Sequence, residues 1–221
     1  MSSTQIDDPS TNLDLHNIFL NWKNLSITDK PPKNKSKTPK KKNIINKGTG
    51  AGGAKTNATG LSFEERTILL NKIKTIRKTK KEHIVKFLNN PKEYIKITDL
   101  FKYMELHNVI DKNIPKPHGC IRLDECYLDT ELNYIFIIEK KFQQVKGSVC
   151  EKIQTALFKL NFFKKTFPQY NIIYIYCLSD WFKENCKVEI ETLHENKIPI
   201  FWGNHETYQN DIINFIINYK Q

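Results

Sequence analysis

The sequence predicts an α/β protein in which a mixed central sheet is flanked by helices on both faces. Three observations predict this class. Residues 134–142 are apolar on both sides of an extended segment, as in a central strand that is covered on each face. An amphipathic helix is expected from Ser148 onward, and Asn171–Leu178 (NIIYIYCL) is a further apolar strand. A strand, a helix and another strand in succession are typical of α/β folds.

The N-terminal 60 residues differ in composition from the rest of the chain. Between Asp29 and Glu64 there are nine lysines and no acidic residue, interspersed with Pro, Ser, Asn and Gly. Such a segment buries too little apolar surface to offset the entropy of ordering it. Residues 1–60 are therefore expected to form a disordered basic arm, and residues 61–221 a single folded domain.

Two short segments of this arm suggest specific roles. The basic run at residues 37–42 fits a nuclear-import signal, a DNA-binding tail or a solvated linker. The Gly-rich stretch at residues 48–56 has Ala54 where a Walker loop needs glycine before its lysine, and no strand leads into it. A flexible hinge is the better interpretation of that stretch.

The first half of the folded part is predicted to be largely helical. Ser62 and Glu65 form a capping box, and apolar residues follow at helical spacing. A second short helix is expected over residues 99–106, and the proline-rich residues 115–119 must form a loop. The apolar residues that define the first helix are Phe63, Leu69, Ile73 and Ile76.

After the loop the pattern changes to strands that alternate with helices. The strands are predicted at residues 120–128, 134–142, 171–178 and 198–202. The helices are predicted from Ser148, over residues 188–195 and over residues 211–219. The stripe of the helix from Ser148 comprises Val149, Ile153, Ala156, Leu157, Leu160 and Phe163.

Composition limits the functional classes. The net charge of +11 favours a polyanionic partner, because Lys and Arg displace counterions from phosphates, although a solubilising surface is the alternative. Five cysteines without a CxxC pair argue against a zinc site or a disulfide framework and favour reduced thiols. No apolar run approaches 18 residues and no signal-peptide core is present, so a soluble intracellular protein, cytoplasmic or nuclear, is expected.

Charged residues stand where burial should disfavour them. The apolar strand runs directly into Glu139 and Lys141, which point to the same side because strand side chains alternate. Asp124 lies in an apolar run on the preceding strand and can approach Glu139 if residues 130–133 form a hairpin turn. Two carboxylates and an amine at a sheet end fit a Mg²⁺ site that polarises a phosphodiester. An ordinary ion pair at the strand end is the structural alternative; a second ExK triplet, Glu195 to Lys197, lacks an acidic neighbour.

The segments Leu123-Asp-Glu-Cys-Tyr127 and Phe136-Ile-Ile-Glu-Lys-Lys-Phe142 resemble the PD-(D/E)XK nuclease superfamily, in particular its type II restriction-endonuclease-like members. The resemblance covers residues 48–203. It implies a restriction-endonuclease-like αβββαβ core with Mg²⁺ bound by Asp124 and Glu139 and with Lys141 as the motif lysine. It also implies an acidic residue from the first helix, Glu65 in preference to Glu64.

One departure from the family pattern concerns the residue before the first motif aspartate. That position is a proline in the family and Leu123 here. Proline supplies no catalytic atom, so activity is compatible with the change, and Asp129 is the alternative to Asp124. His118 lacks an obvious acidic partner, so a general-base role is not favoured for it.

The resemblance predicts a hydrolase: a Mg²⁺-dependent endodeoxyribonuclease that cuts double-stranded DNA, site-specific in the restriction manner and active as a homodimer. The alternatives are a structure-specific repair or recombination nuclease and a non-catalytic DNA-binding protein on a nuclease fold. Basic residues near the first helix and on the helix from Ser148 are the candidate phosphate contacts, with a solvated surface as the other interpretation. These candidate DNA-binding residues are Lys72, Lys74, Arg77, Lys78, Lys152 and Lys159.

Overall fold

The computed structural model describes residues 54–145 and 149–219, without the side chains of residues 54–60, Gly119 and Val149. The strands in these ranges are β1 (Ile73–Lys78), β2 (His83–Phe87), β3 (Glu93–Lys96), β4 (Glu125–Asp129), β5 (Tyr134–Lys141), β6 (Asn171–Leu178) and β7 (Ile200–Trp202). The α-helices are α1 (Ala54–Thr67), α2 (Leu100–Leu106), α3 (Val149–Gln154), α4 (Ala156–Thr166), α5 (Trp181–Asn185), α6 (Lys187–Glu195) and α7 (Tyr208–Asn218).

Several sequence predictions fall outside the described residues. These are the disordered arm up to residue 53, the basic run at residues 37–42, the glycines at residues 48–53 and the capping residue Ser148. Of the segment predicted as arm, residues 54–60 belong to α1.

The strands form one open, mixed, seven-stranded sheet in the order β1-β2-β3-β4-β5-β6-β7. Neighbours from β1 to β5 are antiparallel, whereas β5, β6 and β7 are parallel. Helices α3 and α4 connect β5 to β6, and α5 and α6 connect β6 to β7, as parallel strands require. The predicted α/β class with a mixed sheet flanked by helices is confirmed.

Each face of the sheet packs against its own set of helices. On β5 the side chains alternate, so Ile135 and Ile137 join one buried cluster and Phe136 and Ile138 join the other. The first cluster includes residues of α2 and α4, such as Phe163, and the second includes residues of α1 and α7. The central strand β5 is therefore apolar on both sides because both sides are covered.

Several predicted elements are confirmed. β6 spans the predicted residues 171–178, and Asp99 caps α2 by accepting a hydrogen bond from the backbone N–H of Lys102 at 3.0 Å. The helix expected from Ser148 is observed as α3 and α4, which are separated only at Thr155. No helix in the described part of the chain is long and apolar enough to cross a membrane.

The predicted helix through Ile76 is wrong in its second half. α1 ends at Thr67, Ile68 is extended (φ −65°, ψ 137°), and Ile73 and Ile76 lie on β1. The β-branched residues of the segment IKTIRK favour a strand, and a spacing of three between isoleucines fits a strand that carries a bulge between Thr75 and Arg77.

Two further predictions are corrected. The strand expected over residues 120–128 begins only at Glu125, and Cys120 ends a short 3₁₀ turn. The thiols are not all reduced, because Cys150 of α3 and Cys186 form a disulfide with their Cα atoms 5.9 Å apart. The bridge links α3 to the α5–α6 connection. Spacing alone gave no sign of this pairing, since 36 residues separate the two cysteines.

Candidate active site

The end of β5 carries a buried carboxylate that two lysines contact. Glu139 is 5% exposed. The Lys141 Nζ lies 2.5 Å from Glu139 Oε1, and the Lys159 Nζ of α4 lies 2.9 Å from the same oxygen. Burial by itself would raise the pKa of Glu139, but the two ammonium groups outweigh it and hold the pKa below its usual value. Glu139 is therefore held in its charged form.

Asp124 lies directly beside this carboxylate in the sheet register. The β4–β5 hairpin pairs Glu125 with Ile138, so the next residues outward are Asp124 and Glu139. Asp124 Oδ2 accepts a hydrogen bond from the backbone N–H of Lys140 at 2.6 Å. Although part of Asp124 reaches solvent, surrounding protein atoms and the Glu139 carboxylate raise the pKa of Asp124, and the Lys140 N–H opposes that rise.

The alternative to Asp124 lies at the wrong end of the sheet. Asp129 pairs with Tyr134 at the hairpin turn, five residues along the strand from Glu139, or about 17 Å. It is 2% exposed and forms an ion pair with Lys92 at 2.6 Å. Its Oδ1 also accepts hydrogen bonds from two backbone N–H groups of the turn. Asp129 therefore stabilises the hairpin and belongs to no common site with Glu139.

The acidic residue that α1 places near the site is Glu64. Partial desolvation is the main cause that raises the pKa of Glu64, and the nearby carboxylates of Asp124 and Glu139 add to it. Glu64 and Glu65, which the sequence favours, are both exposed, but of the two it is Glu64 that lies close enough to these carboxylates for their charges to act on it. Neighbouring helical residues point about 100° apart, so only one of the pair can face the sheet end.

A cleft of about 520 Å³ opens on the Glu139 face of the sheet. Tyr174 and Tyr176 of β6 are buried beside Glu139. Desolvation, with the Glu139 carboxylate adding to it, raises the pKa of both tyrosines. The cleft is lined by Pro117, His118, Cys120, Glu139, Lys141, Lys152, Thr155, Phe158 and Lys159.

The atoms at this sheet end that could coordinate a cation are carboxylate oxygens, the ligand type that a hard divalent cation prefers. Asp124 and Glu139 supply carboxylate oxygens, with Glu64 close enough to influence them electrostatically. Within residues 54–145 and 149–219, no group of three or more His, Cys, Asp or Glu is arranged to hold a metal ion. Mg²⁺ ordinarily takes one or two protein carboxylates and completes its coordination with water and phosphate oxygens. The two carboxylates of adjacent strands meet that requirement.

On the opposite face of β5, Lys140 forms a buried ion pair that the sequence analysis did not anticipate. Its Nζ lies 2.7 Å from Glu125 Oε1, and the two side chains are 3% and 1% exposed. Glu125 also accepts hydrogen bonds from the Leu69 N–H and from the Tyr127 hydroxyl at 2.7 Å. The signal available in the sequence was the acid at the start of an apolar strand, together with the alternation that sends Lys140 away from Lys141.

The predicted phosphate contacts divide into three places. Lys152 and Lys159 line the cleft. Lys78, which pairs with His83, lies toward the Glu139 end of the sheet but on its opposite face, whereas Lys74 pairs with Lys86 toward the other end. Lys72 precedes β1 beyond Lys74, and Arg77 forms an ion pair with Glu82 at 3.1 Å. The six residues therefore do not form one surface.

The second ExK triplet is unrelated to this arrangement. Glu195 ends α6, and both Glu195 and Lys197 are exposed. His118 lines the cleft with Glu139, without a hydrogen bond or ion pair of its own among the described residues.

Comparison with known proteins identifies no relative. No protein-family model, no curated protein and no solved structure matches this chain. The functional conclusion therefore depends on the geometry of the site.

Proposed function

We propose that this protein is a Mg²⁺-dependent endodeoxyribonuclease of the PD-(D/E)XK type that hydrolyses phosphodiester bonds in DNA. The observation that carries the proposal is Glu139, buried at the end of a central strand, with Asp124 beside it and Lys141 at 2.5 Å. A carboxylate pair with a lysine two residues after the second acid is the arrangement that the sequence resemblance implied.

In this proposal Asp124 and Glu139 hold Mg²⁺, and Glu64 adds negative charge to the same position. When bound, the cation supplies charge neutralisation at the phosphate and a more acidic water. Lys141 orients the attacking water and offsets charge that develops on the phosphate oxygens. The Lys140 N–H holds the Asp124 carboxylate at the sheet end through the 2.6 Å hydrogen bond.

The charge distribution supports a polyanionic substrate. Lys152 and Lys159 line the cleft beside Lys141. Lys78 and Lys96 lie on the opposite face of the sheet, where Lys140 and Lys78 both lower the pKa of Lys96 in addition to burial, so they do not extend the basic lining of the cleft. Cutting both strands of a duplex would require a second active site, most simply that of a homodimer.

The test is Mg²⁺-dependent cleavage of supercoiled plasmid and of a circular single-stranded DNA by the full chain. Glu139→Gln and Lys141→Met should each reduce the cleavage rate by about 100-fold or more, and EDTA should abolish cleavage. The matched controls are Glu195→Gln and Lys197→Met, which change the same residue types in the exposed triplet and should cut at the wild-type rate.

Two outcomes would overturn the proposal. If wild type does not cut with Mg²⁺ or Mn²⁺ while DNA binding is equal in all variants, the protein is a non-catalytic DNA-binding scaffold. If cutting persists in both Glu139→Gln and Lys141→Met, the nuclease site lies elsewhere.

A further inference from the structure

One aromatic residue is exposed inside the candidate active-site cleft. Phe158 of α4 is 61% exposed and is the only aromatic among the exposed large apolar residues in the described part of the chain. It lines the same cleft as Glu139 and Lys141. Removing a large apolar side chain from water is favourable, so its position in a cleft that also carries Lys141, Lys152 and Lys159 favours a ligand that has both an apolar surface and negative charge.

Neighbouring aromatic side chains support the Phe158 ring on one side. The Phe162 ring, one turn later on α4, lies parallel to that of Phe158 within 15°, with their centroids 6.4 Å apart. Phe162 in turn packs against Phe101 of α2 at 6.1 Å. The Phe158 ring therefore extends from a supported aromatic layer on a regular helix.

The residues around Phe158 are suited to bind phosphate rather than another apolar group. Lys152 of α3 and Lys159 of α4 line the cleft together with Thr155 and Phe158. Lys152 is exposed, whereas the Lys159 ammonium group is bonded to Glu139 at 2.9 Å. Proteins bind unpaired nucleotides with an aromatic ring beside ammonium groups. The ring stacks on a base, and the ammonium groups neutralise the phosphate backbone.

We propose that Phe158 stacks on an unpaired base of the strand whose phosphate occupies the cleft, so that the substrate is DNA with unpaired nucleotides at the cut site rather than continuous duplex. This inference rests on the proposed nuclease function and specifies its substrate class. In a continuous duplex both faces of each base are already covered by neighbouring bases, and removing a base from the stack has a free-energy cost. A flap, a gap or a single strand offers the base without that cost.

The test measures binding separately from cleavage. Fluorescence anisotropy in EDTA would compare a single strand of about 12 nucleotides, within the usual site size of such proteins, with a blunt hairpin duplex for wild type, Phe158→Ala and Phe158→Trp. Stacking on an aromatic side chain accounts for about 5- to 150-fold in affinity per base, so Phe158→Ala should weaken single-strand binding by that factor and leave duplex binding unchanged. Phe158→Trp should retain single-strand affinity because it keeps an aromatic surface.

The matched control is Leu132→Ala, which removes a 51% exposed apolar side chain from the β4–β5 turn at the other end of the sheet. It should bind both DNAs like wild type. Equal weakening of both DNAs by Phe158→Ala, or no change in either, would overturn the stacking inference while leaving the nuclease proposal intact. Single-strand binding that depends on Phe158, without cleavage in Mg²⁺, would overturn the nuclease proposal and keep the stacking site.

Discussion

Two adjacent lysines of β5 should have different effects when each is replaced by methionine. Lys140→Met should mainly lower the stability of the fold, and Lys141→Met should mainly reduce cleavage. Lys140 is 3% exposed in its side chain and pairs with Glu125, which is 1% exposed. Lys140→Met keeps most of the volume but leaves the Glu125 carboxylate buried without its cation. Removing one partner of a buried pair costs about 3–5 kcal/mol, a large part of a typical unfolding free energy of about 5–15 kcal/mol. We expect Lys140→Met to lower the free energy of unfolding by that amount.

Lys141→Met is the matched comparison because it makes the same chemical change one residue later. The Lys141 side chain is 22% exposed, and its loss leaves Glu139 still paired with Lys159 at 2.9 Å. The expected cost is about 1–2 kcal/mol, since one charged hydrogen bond at a partly exposed site is lost. Lys141→Met should reduce the cleavage rate by about 100-fold or more, whereas folded Lys140→Met should retain cleavage.

The assay is urea denaturation followed by far-UV circular dichroism, with unfolding free energies from linear extrapolation. A third variant combines Glu125→Gln with Lys140→Met. It removes the unpaired charge, while the amide oxygen introduced by Glu125→Gln can still accept from the Leu69 N–H and the Tyr127 hydroxyl. It should recover most of the lost stability, because replacing both partners of a buried pair is often neutral. A cost below about 1 kcal/mol for Lys140→Met, or equal costs at the two lysines, would refute the reasoning.

Three further changes test other parts of the structure. In Gly203→Ala the new Cβ would lie 2.5 Å from Phe63 Cζ, so the urea midpoint should fall by the equivalent of about 1–3 kcal/mol; an unchanged midpoint would contradict this packing. Cys150→Ser removes a cross-link over 36 residues and should lower stability by about 4 kcal/mol in thermal unfolding, as dithiothreitol should for wild type only; equal stability with and without reductant would argue against the bridge. Lys152→Gln, in the cleft, should reduce the slope of log affinity for DNA against log salt by about one, while Lys74→Gln should not; equal slopes would exclude a phosphate contact at Lys152.

The parts of the fold that the sequence predicts correctly are those with strong apolar patterns. β5 and β6 are rich in Ile, Phe and Tyr, which strongly favour strands. α2 begins after Asp99, whose side chain caps the helix. β1 was assigned to a helix because its exposed Lys and Arg side chains carry no alternation of apolar and polar residues. An edge strand rich in charged residues is protected from pairing with other chains, and the same feature hides it from pattern analysis.

The candidate site was predictable where it follows from strand alternation and not where it depends on a helix. Glu139, Lys141 and the approach of Asp124 follow from period two and a hairpin. The choice between Glu64 and Glu65 depends on how α1 is rotated against the sheet, which adjacent positions in one sequence do not specify. Lys159 of α4, which the sequence predicts as a DNA contact, also reaches Glu139, and a contact between a helix and a strand does not follow from strand alternation.

The two buried carboxylates at this sheet end differ in their capacity to bind a ligand. Glu125 accepts from Lys140, a backbone N–H and a tyrosine hydroxyl using both of its oxygens, so its bonds are made within the protein. Glu139 receives both of its ammonium contacts on Oε1 and borders an open cleft. A buried charge must be compensated, and in Glu139 the compensation comes from Lys141 and Lys159, which line the cleft where a phosphate would bind. Of the two, Glu139 is therefore the carboxylate suited to exchange protein partners for a metal ion and substrate.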